Sequence, residues 1–291
     1  MTVLEVLQRS AAYLAERGVE SARLNAELII SHVLKKPRLR LYLEFDHTIP
    51  EADLAIAREL VQRRGRREPL QHLTGTIGFL NLNLEVTPDV LVPRPETEVL
   101  AQLAIQFLRQ TPPDPTPIAL DFGTGSGCLA IALAQSVPHA EIHALDISPP
   151  ALAVARRNAA SHPSNRIEFH EGDGFSALAT RLPDLHRRFS LVVSNPPYIP
   201  TSEIATLEPE VRDHDPKIAL DGGPDGLAFY RRLALEAADW LRPRGLLLVE
   251  FGDGQSPALE ELFKGAGWKT EAIEKDLSGR DRVLIVRLPT E

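Results

Sequence analysis

The chain has 291 residues, 43% of them hydrophobic, which is enough for one large domain and a smaller one with buried cores. Its formal net charge is −8, and its single cysteine excludes an internal disulfide. No apolar run reaches the roughly 20 residues that span a bilayer, and the N-terminus lacks a signal peptide's basic start and apolar core, so we expect a cytoplasmic protein without a membrane partner.

Positive and negative charges are unevenly distributed along the chain. Residues 1–72 contain 12 Lys and Arg against 10 Asp and Glu, so the totals of 32 and 40 leave 20 against 30 for the rest. This acidic remainder is a poor match to a phosphate backbone, and we expect no direct nucleic-acid partner. One basic cluster is interpreted as the solvated face of a helix end, with a nucleic-acid patch as the alternative. Its members are Arg58, Arg63, Arg64, Arg66 and Arg67.

The first quarter of the chain has apolar residues at helical spacing. Breaks at Gly18, Pro37 and Pro50 divide residues 3–73 into short helices, of which 51–64 is the last long member. The pattern predicts a small helical bundle.

A different periodicity follows the bundle. Period-two alternation over residues 74–92 predicts a β-hairpin that links two domains. A helix is predicted over about residues 93–109, with proline near its first turn and acidic side chains where the helix dipole favours them. Beyond it, β-like apolar runs alternate with helical patterns, which predicts a mostly parallel sheet covered by helices on both faces. The runs are 118–122, 142–145, 167–169, 191–194, 246–251 and 283–288.

The glycine-rich turn Gly123-Thr124-Gly125-Ser126-Gly127 follows the first of these runs. In an open α/β sheet, ligands bind at the carboxyl ends of the strands, and glycine lets the backbone approach a ligand closely. The spacing is neither the dinucleotide pattern nor a P-loop. After the next two runs, Asp146 can accept hydrogen bonds from ribose hydroxyls, Asp173 can meet an adenine amino group and Phe175 can lie against the adenine ring. Together these features predict S-adenosylmethionine binding.

The tetrapeptide Asn195-Pro196-Pro197-Tyr198 follows a later apolar run. The side-chain oxygen of Asn195 and the carbonyl of Pro196 can accept both N–H bonds of a planar NH₂ group and favour positive charge developing on its nitrogen. Pro197 stiffens this turn, and Tyr198 offers a ring for stacking. The pattern predicts methyl transfer to nitrogen, with neither a general base nor a metal.

Each feature also has a structural interpretation when it stands alone. A glycine turn makes a tight strand-to-helix bend, Asp146 can cap a helix, Asp173 can be a turn residue, and a proline-rich tetrapeptide can simply leave a strand. Cys128 is interpreted as a packed side chain, because no basic residue adjoins it in sequence. The coincidence of the other features at successive strand ends favours the functional interpretation.

With these residues identified, the chain resembles the release-factor glutamine methyltransferases, the protein-(glutamine-N5) methyltransferase family. The matches extend from the helical N-terminal part over most of the chain, through residues 93–98, 121–127, 195–198, 250–255 and 276–283. Asn-Pro-Pro-Tyr is shared with DNA adenine methyltransferases, whereas residues 93–98 and 276–283 are more selective. Phe251 stands where the family more often has isoleucine, an exchange that should matter little.

The resemblance implies the domain organisation and the reaction. A helical substrate-docking domain (1–73) and a β-hairpin linker (74–92) would precede a Rossmann-like, seven-stranded class I S-adenosylmethionine-dependent methyltransferase domain (93–291). This domain would methylate the N5 nitrogen of the glutamine in the Gly-Gly-Gln motif of class I peptide chain release factors, with S-adenosylhomocysteine as product. The protein is expected to act as a monomer. Implied cofactor contacts are Gly123 to Gly127, Asp146, Phe175 and Asn195, and implied substrate contacts are Asn195 to Tyr198.

Other interpretations remain open at this stage. A DNA adenine methyltransferase would need a basic groove, which the charge does not support, and another protein nitrogen methyltransferase would share the tetrapeptide. A non-catalytic binding module would be expected to have lost some of these motifs. Arg94 and Glu96 can shape the lip of the site or cap their helix, and we favour capping. The basic cluster can also be interpreted as a contact for an acidic face of the release factor.

Overall fold

The computed structural model describes residues 1–163 and 167–289, so residues 290 and 291 of the predicted catalytic domain lie outside the described part. The chain divides into two compact units. The helical unit contains Met1–Thr76 and Leu207–His214, and the sheet unit contains Ile77–Thr206 and Asp215–Glu291. None of the helices in the described ranges combines the length and apolar character needed to cross a bilayer.

The described residues form twelve α-helices and nine strands. The helices are α1 (Val3–Ala15), α2 (Ala22–Leu34), α3 (Arg38–Leu43), α4 (Glu51–Gly65), α5 (Leu70–Thr74), α6 (Pro95–Gln110), α7 (Cys128–Ser136), α8 (Pro149–Ser161), α9 (Phe175–Arg181), α10 (Pro209–Arg212), α11 (Ala228–Glu236) and α12 (Ser256–Gly265). The strands are β1 (Thr76–Phe79), β2 (Leu82–Glu85), β3 (Ile118–Phe122), β4 (Glu141–Asp146), β5 (Ile167–Glu171), β6 (Phe189–Ser194), β7 (Leu241–Glu250), β8 (Lys269–Lys275) and β9 (Asp281–Arg287).

The helical unit has its own apolar core, which confirms the predicted bundle. Its first helix begins with a capping box, in which the Thr2 hydroxyl accepts from the Glu5 amide and the Glu5 carboxylate accepts from the Thr2 amide. Leu14 of α1, Ile29 of α2 and Leu41 of α3 are fully buried. The apolar spacing visible in the sequence therefore corresponds to one shared core.

Segment 207–214 is held in the helical unit by arginines of the α4 end. Arg64 donates to Glu210 at 2.8 Å and to Asn25 at 2.8 Å, and its side chain is only 8% exposed. Arg67 donates to Glu210 at 2.7 Å and to Glu208 at 2.8 Å. A buried guanidinium must be paired with acceptors to offset the loss of its hydration. These arginines therefore have a structural role, which is to hold segment 207–214 in the helical unit.

The pairing corrects the interpretation of the basic cluster as a single solvated or partner-binding face. Arg63 is also engaged internally, since it donates twice to Glu68. Among the five arginines, Arg58 and Arg66 are the exposed ones. Any external partner of this cluster would therefore meet mainly those two.

The sheet unit is built on a seven-stranded sheet over the described residues, with the order β5-β4-β3-β6-β7-β9-β8. The first five strands pair in parallel, and β9 and β8 are antiparallel. One face packs against α6 and α7 and the other against α11 and α12. This confirms the predicted mostly parallel sheet with helices on both faces.

Two strand predictions differ from the structure. β7 begins at Leu241, before the run that was predicted from residue 246. β8 has no counterpart among the predicted runs, because its sequence Lys-Thr-Glu-Ala-Ile-Glu-Lys is mostly polar. An edge strand pairs on one side only and is partly solvated, so it need not be an apolar run.

We expect the substitution Arg64→Met to destabilise the helical unit. Methionine retains most of the apolar stem of arginine but removes one of the positive charges that balance the Glu210 carboxylate. Removal of one partner from a buried ion pair costs about 3 kcal/mol at the lower end of the measured range. The free energy of unfolding from urea denaturation measures the loss, and limited proteolysis should show earlier cleavage within residues 207–214.

The matched control is Arg212→Met. Arg212 pairs with Asp213 in the same segment, but the two side chains are 39% and 48% exposed. Solvent-exposed ion pairs contribute little to stability, so the control should change the free energy of unfolding only slightly. Equal losses in the two variants would contradict the structural role of Arg64.

Candidate functional site

A cleft lies at the carboxyl ends of the parallel strands. Its lining residues all belong to the sheet unit and include the glycine turn, Asp146, Asp173, Asn195 and Pro197. Segments that are far apart in sequence are thus brought together at one sheet edge, as expected for an open α/β sheet.

The three glycines of the turn share a positive φ but differ in the space around them. Gly123, Gly125 and Gly127 have φ values of 77°, 53° and 83°, a region that side chains disfavour. A Cβ added to Gly123 or Gly125 would have no heavy atom within 4 Å, whereas one on Gly127 would lie 3.1 Å from the Cβ of Ala155. Gly127 therefore allows close packing, and the first two leave open space beside the backbone.

Asp121, near the end of β3, is hydrogen-bonded to the glycine turn. Its Oδ2 accepts from the Thr124 hydroxyl at 2.6 Å and from the Ala130 amide at 3.1 Å, and its side chain is fully buried. Burial raises the pKa of this carboxyl to about 7, although both hydrogen bonds lower it. Oδ1 is buried with no hydrogen-bond partner in the described structure. Asp121 thus links the turn to the start of α7.

Asp146 joins the turn to the end of β4. Its Oδ2 accepts from the Gly125 amide at 2.8 Å, and its Oδ1 accepts from the Ser148 amide at 2.9 Å. Burial is the main reason why its pKa is raised. The cap of α8 is Ser148, whose hydroxyl accepts from the Ala151 amide. The predicted ribose acceptor therefore lines the cleft and also shapes the glycine turn.

Buried Asn158 braces the turn from the side of the hairpin. Its amide nitrogen donates to the Ser126 carbonyl at 2.9 Å and to the Glu85 carbonyl at 3.0 Å, while its oxygen accepts from the Glu85 amide at 2.7 Å. The hairpin strand β2 and the glycine turn are thus held by one side chain, that of Asn158. Sequence reasoning missed Asn158, because nothing local distinguishes it from other helical asparagines.

Two of the predicted adenine contacts are differently placed. Asp173 lines the cleft, but its carboxylate accepts from Arg232. Phe175 is only 2% exposed, and its ring packs against Phe122 at 5.1 Å and Trp240 at 5.8 Å between centroids. This corrects the expectation for Phe175, because a ring inside the core has no face left for a ligand.

The Asn195 turn is tied to several elements. The Asn195 amide nitrogen donates to the Thr97 hydroxyl at 3.1 Å, and at the root of the turn the Ser194 hydroxyl donates to the Phe122 carbonyl at 2.7 Å. Gln255 fixes the other end, since its amide nitrogen donates to the Tyr198 carbonyl at 3.0 Å. Asn195 and Pro197 line the cleft, Pro196 is buried and Tyr198 is partly buried beside the core.

The raised pKa values of Tyr198 and Cys128 make both side chains unsuitable as general bases or nucleophiles. Burial raises the pKa of Tyr198 to about 12, so its hydroxyl stays neutral at physiological pH and is a poor base. Burial likewise raises the pKa of Cys128 to about 12, which agrees with a packed thiol. Arg94, the N-cap residue of α6, donates to the buried carboxylate of Asp215 at 2.6 Å. That contact is consistent with the structural interpretation of Arg94.

Comparison with known proteins identifies related families in both parts of the chain. Residues 5–75 match the family model described as the PrmC N-terminal domain, and residues 101–207 match the methyltransferase small domain. Two curated relatives are each named release factor glutamine methyltransferase. The protein of Geobacter sulfurreducens is 44% identical over 97% of this chain and 95% of its own length, and that of Mycolicibacterium smegmatis is 45% identical over 95% and 94%.

A solved structure supports the fold of the sheet unit. The N-terminal domain of human METTL16 in complex with SAH has a TM-score of 0.50 and is 15% identical, over 72% of this chain and 76% of the human one. At this identity the likeness concerns the fold alone.

We expect Asp121 to make stability fall as pH rises. Its folded pKa of about 7 lies above the ordinary value of 3.8, so between these values the folded state holds a proton that the unfolded state has lost. Relative to Asp121→Asn, the wild type should lose free energy of unfolding between about pH 4 and about pH 7. Urea denaturation across this range measures the difference.

Asp225→Asn is the control for this prediction. Arg231 lowers the pKa of the Asp225 carboxyl to about 2, so its stabilisation is lost only below the pH range of the experiment. A constant difference between wild type and Asp121→Asn across that range would contradict the raised pKa of Asp121.

Proposed function

The chain belongs to the release factor glutamine methyltransferase family, and we propose that its cleft binds S-adenosyl-L-methionine while Asn195 and Pro196 hold the amide of the substrate glutamine. Family membership gives the reaction class, which is methylation of a release-factor glutamine by an enzyme with a cofactor of the S-adenosylmethionine type. The proposal concerns the identity of the cofactor and the residues that act on each partner.

The residues of the cleft fit S-adenosyl-L-methionine. The open space beside Gly123 and Gly125 allows a ligand to approach the turn, and Asp146 is available at the strand end where a ribose would lie. The lining contains Asp89, Asp146 and Asp173 against one arginine, Arg232, and this excess of carboxylates suits a sulfonium cation better than a phosphate. When bound, the cofactor supplies an electrophilic methyl group.

The substrate amide nitrogen needs orientation more than activation by a base. Its lone pair is delocalised into the carbonyl, and Asn195 Oδ1 and the Pro196 carbonyl can hold its two N–H bonds in a fixed plane. The same oxygens stabilise positive charge on nitrogen, and the charged nitrogen then releases a proton to water. The neutral Tyr198 hydroxyl is consistent with a site that uses no general base.

The substrate is the glutamine of a Gly-Gly-Gln motif in class I peptide chain release factors, methylated at N5. The family match over residues 5–75 supports a role of the helical region 1–73 in docking the release factor. Because release factors act in translation termination, we place the enzyme in the cytoplasm. The single observation that carries the proposal is the meeting of the glycine turn and Asn195 in one cleft.

Mass spectrometry of release factors incubated with enzyme and isotopically labelled S-adenosyl-L-methionine tests the substrate. We expect one labelled methyl group on the Gly-Gly-Gln glutamine and none on a release factor with that glutamine replaced by alanine. Duplex DNA serves as a second acceptor. Salt-sensitive binding and methylation of DNA, without labelling of the release factor, would overturn the proposal.

The substitution Asn195→Ala should lower kcat on the order of 100-fold or more, because it removes an acceptor that orients the nitrogen. Asn83→Ala is the control, since Asn83 is exposed on β2. Thermal melting should show that both variants remain folded. Turnover at the wild-type rate in Asn195→Ala would contradict the role of this residue.

A further inference from the structure

Three side chains are connected behind the Asn195 turn. The Asn195 amide nitrogen donates to the Thr97 hydroxyl at 3.1 Å, and Thr97, acting as a side-chain hydrogen-bond partner, lowers the pKa of the neighbouring Glu250 carboxyl. Thr97 is 2% exposed and Glu250 is 1% exposed. Water therefore has little access to the two inner members. In the described structure the Glu250 Oε2 atom is buried without a hydrogen-bond partner, so Thr97 is the neutral side chain that stabilises this carboxylate.

The topology explains why these residues meet. β6 and β7 are parallel neighbours, and Ser194 lies opposite Val249 in their register. Asn195 directly follows β6, and Glu250 is the last residue of β7, where it pairs with Val283 of β9, so the two residues lie side by side at this sheet edge. Thr97 reaches them from the first turn of α6, which packs against β6 and β7. The contact joins residues that are 98 positions apart in sequence.

The number of available protons fixes the direction of each hydrogen bond. An ionised carboxylate only accepts, so the single hydroxyl proton of Thr97 must be donated to Glu250. The Thr97 oxygen then has only lone pairs to offer, and Asn195 must turn its NH₂ end toward it. The Asn195 carbonyl oxygen is consequently the end that points away from Thr97. Asn195 lines the cleft, where this oxygen would be needed.

We infer that Thr97 and Glu250 are positioning residues that hold the Asn195 amide with its oxygen available to the substrate nitrogen. The inference rests on the role proposed above for Asn195 and assigns a cause to its orientation. Neither Thr97 nor Glu250 needs to touch the substrate. Thr97 also borders the cleft, and the role assigned to it here is exerted through the Asn195 amide.

The charge state of Glu250 decides whether this device operates. Burial is the main reason that the Glu250 pKa is raised to about 7. Nearby cations lower it only partly, because Arg282 donates to Asp276 and the Phe251 carbonyl, and Arg94 donates to Asp215. The ionisable groups with an electrostatic effect on Glu250 or from it are Arg94, Glu96, Cys128, Tyr198, Tyr230 and Arg282.

Protonation of Glu250 would release the constraint. A protonated carboxyl can donate to Thr97, whose own proton is then free to bind the oxygen of a reversed Asn195 amide. The fraction of correctly oriented enzyme should therefore fall as pH falls through about 7. At saturating cofactor and release factor this change appears in kcat.

The first test compares Thr97→Val with Thr97→Ser. Valine keeps the shape but lacks the hydroxyl, so kcat should fall about 10- to 100-fold, the scale of a misplaced reacting group, with little change in KM. Serine restores the hydroxyl and should recover most of the activity. A Thr97→Val enzyme whose kcat stays within about threefold of wild type would overturn the inference.

The second test is the pH profile of kcat from about pH 6 to about pH 8.5, for wild type and Glu250→Gln. Wild-type kcat should rise with a midpoint near the Glu250 pKa of about 7. Glutamine can donate or accept but does not titrate, so the variant should have a lower, flat profile. A variant that keeps the wild-type rise would overturn the inference.

Tyr230→Phe is the matched control. The Tyr230 hydroxyl donates to the backbone carbonyl of Glu250 at 2.7 Å, so its removal disturbs the same buried strand end without touching the carboxylate. This variant should be less stable but keep the pH-dependent rise of kcat. If Glu250→Gln does not fold, the comparison of kcat between Thr97→Val and Thr97→Ser still tests the inference.

The two proposals fail separately. Loss of activity in Asn195→Ala with full activity in Thr97→Val would refute only the positioning role. Full activity in Asn195→Ala would refute the proposed function itself.

Discussion

The parallel pairing of β3 with β6 is the constraint on which the site depends. Asp121 lies opposite Val193, and both strands are buried along their whole length. Neighbouring parallel strands present their carboxyl ends at one sheet edge, so the glycine turn and the Asn195 turn start side by side. The Ser194 hydroxyl joins them through the Phe122 carbonyl, 72 positions away in sequence. The glycine turn and the Asn195 turn are therefore anchored to the same pair of neighbouring strands.

Two buried carboxylates and one partly buried carboxylate at this edge have neutral hydrogen-bond partners. Asp121 is bonded by a hydroxyl and an amide, Asp146 by two amides and Glu250 by the Thr97 hydroxyl. Neutral donors offset only part of the desolvation, which is why all three pKa values are raised. Burial of these carboxylates costs stability, but it keeps acceptor oxygens in fixed directions near the cleft. Locally unfavourable arrangements of this kind are expected at functional sites.

Sequence reasoning succeeded where a single stretch of chain carries the information. β3 and β6 are apolar because both of their faces are buried, and the glycine turn follows directly from its residues. It failed where distant partners decide the outcome. The polar edge strand β8 is stabilised by pairing with β9, and Phe175 is drawn into the core by Phe122 and Trp240. Segment 207–214 joins the helical unit through Arg64, whose partner Glu210 is 146 positions away.

Packing alone cannot choose between the two orientations of the Asn195 amide. Its oxygen and its nitrogen are nearly equal in size, so a cavity that fits one orientation also fits the reverse. Methyl transfer to nitrogen distinguishes them completely, because one orientation offers an acceptor to the substrate and the other a donor. Only a directional hydrogen-bond network can select between them, and it must end in a group that cannot donate. An ionised Glu250 is such a group, and this gives a reason for burying a carboxylate that takes no part in bond formation.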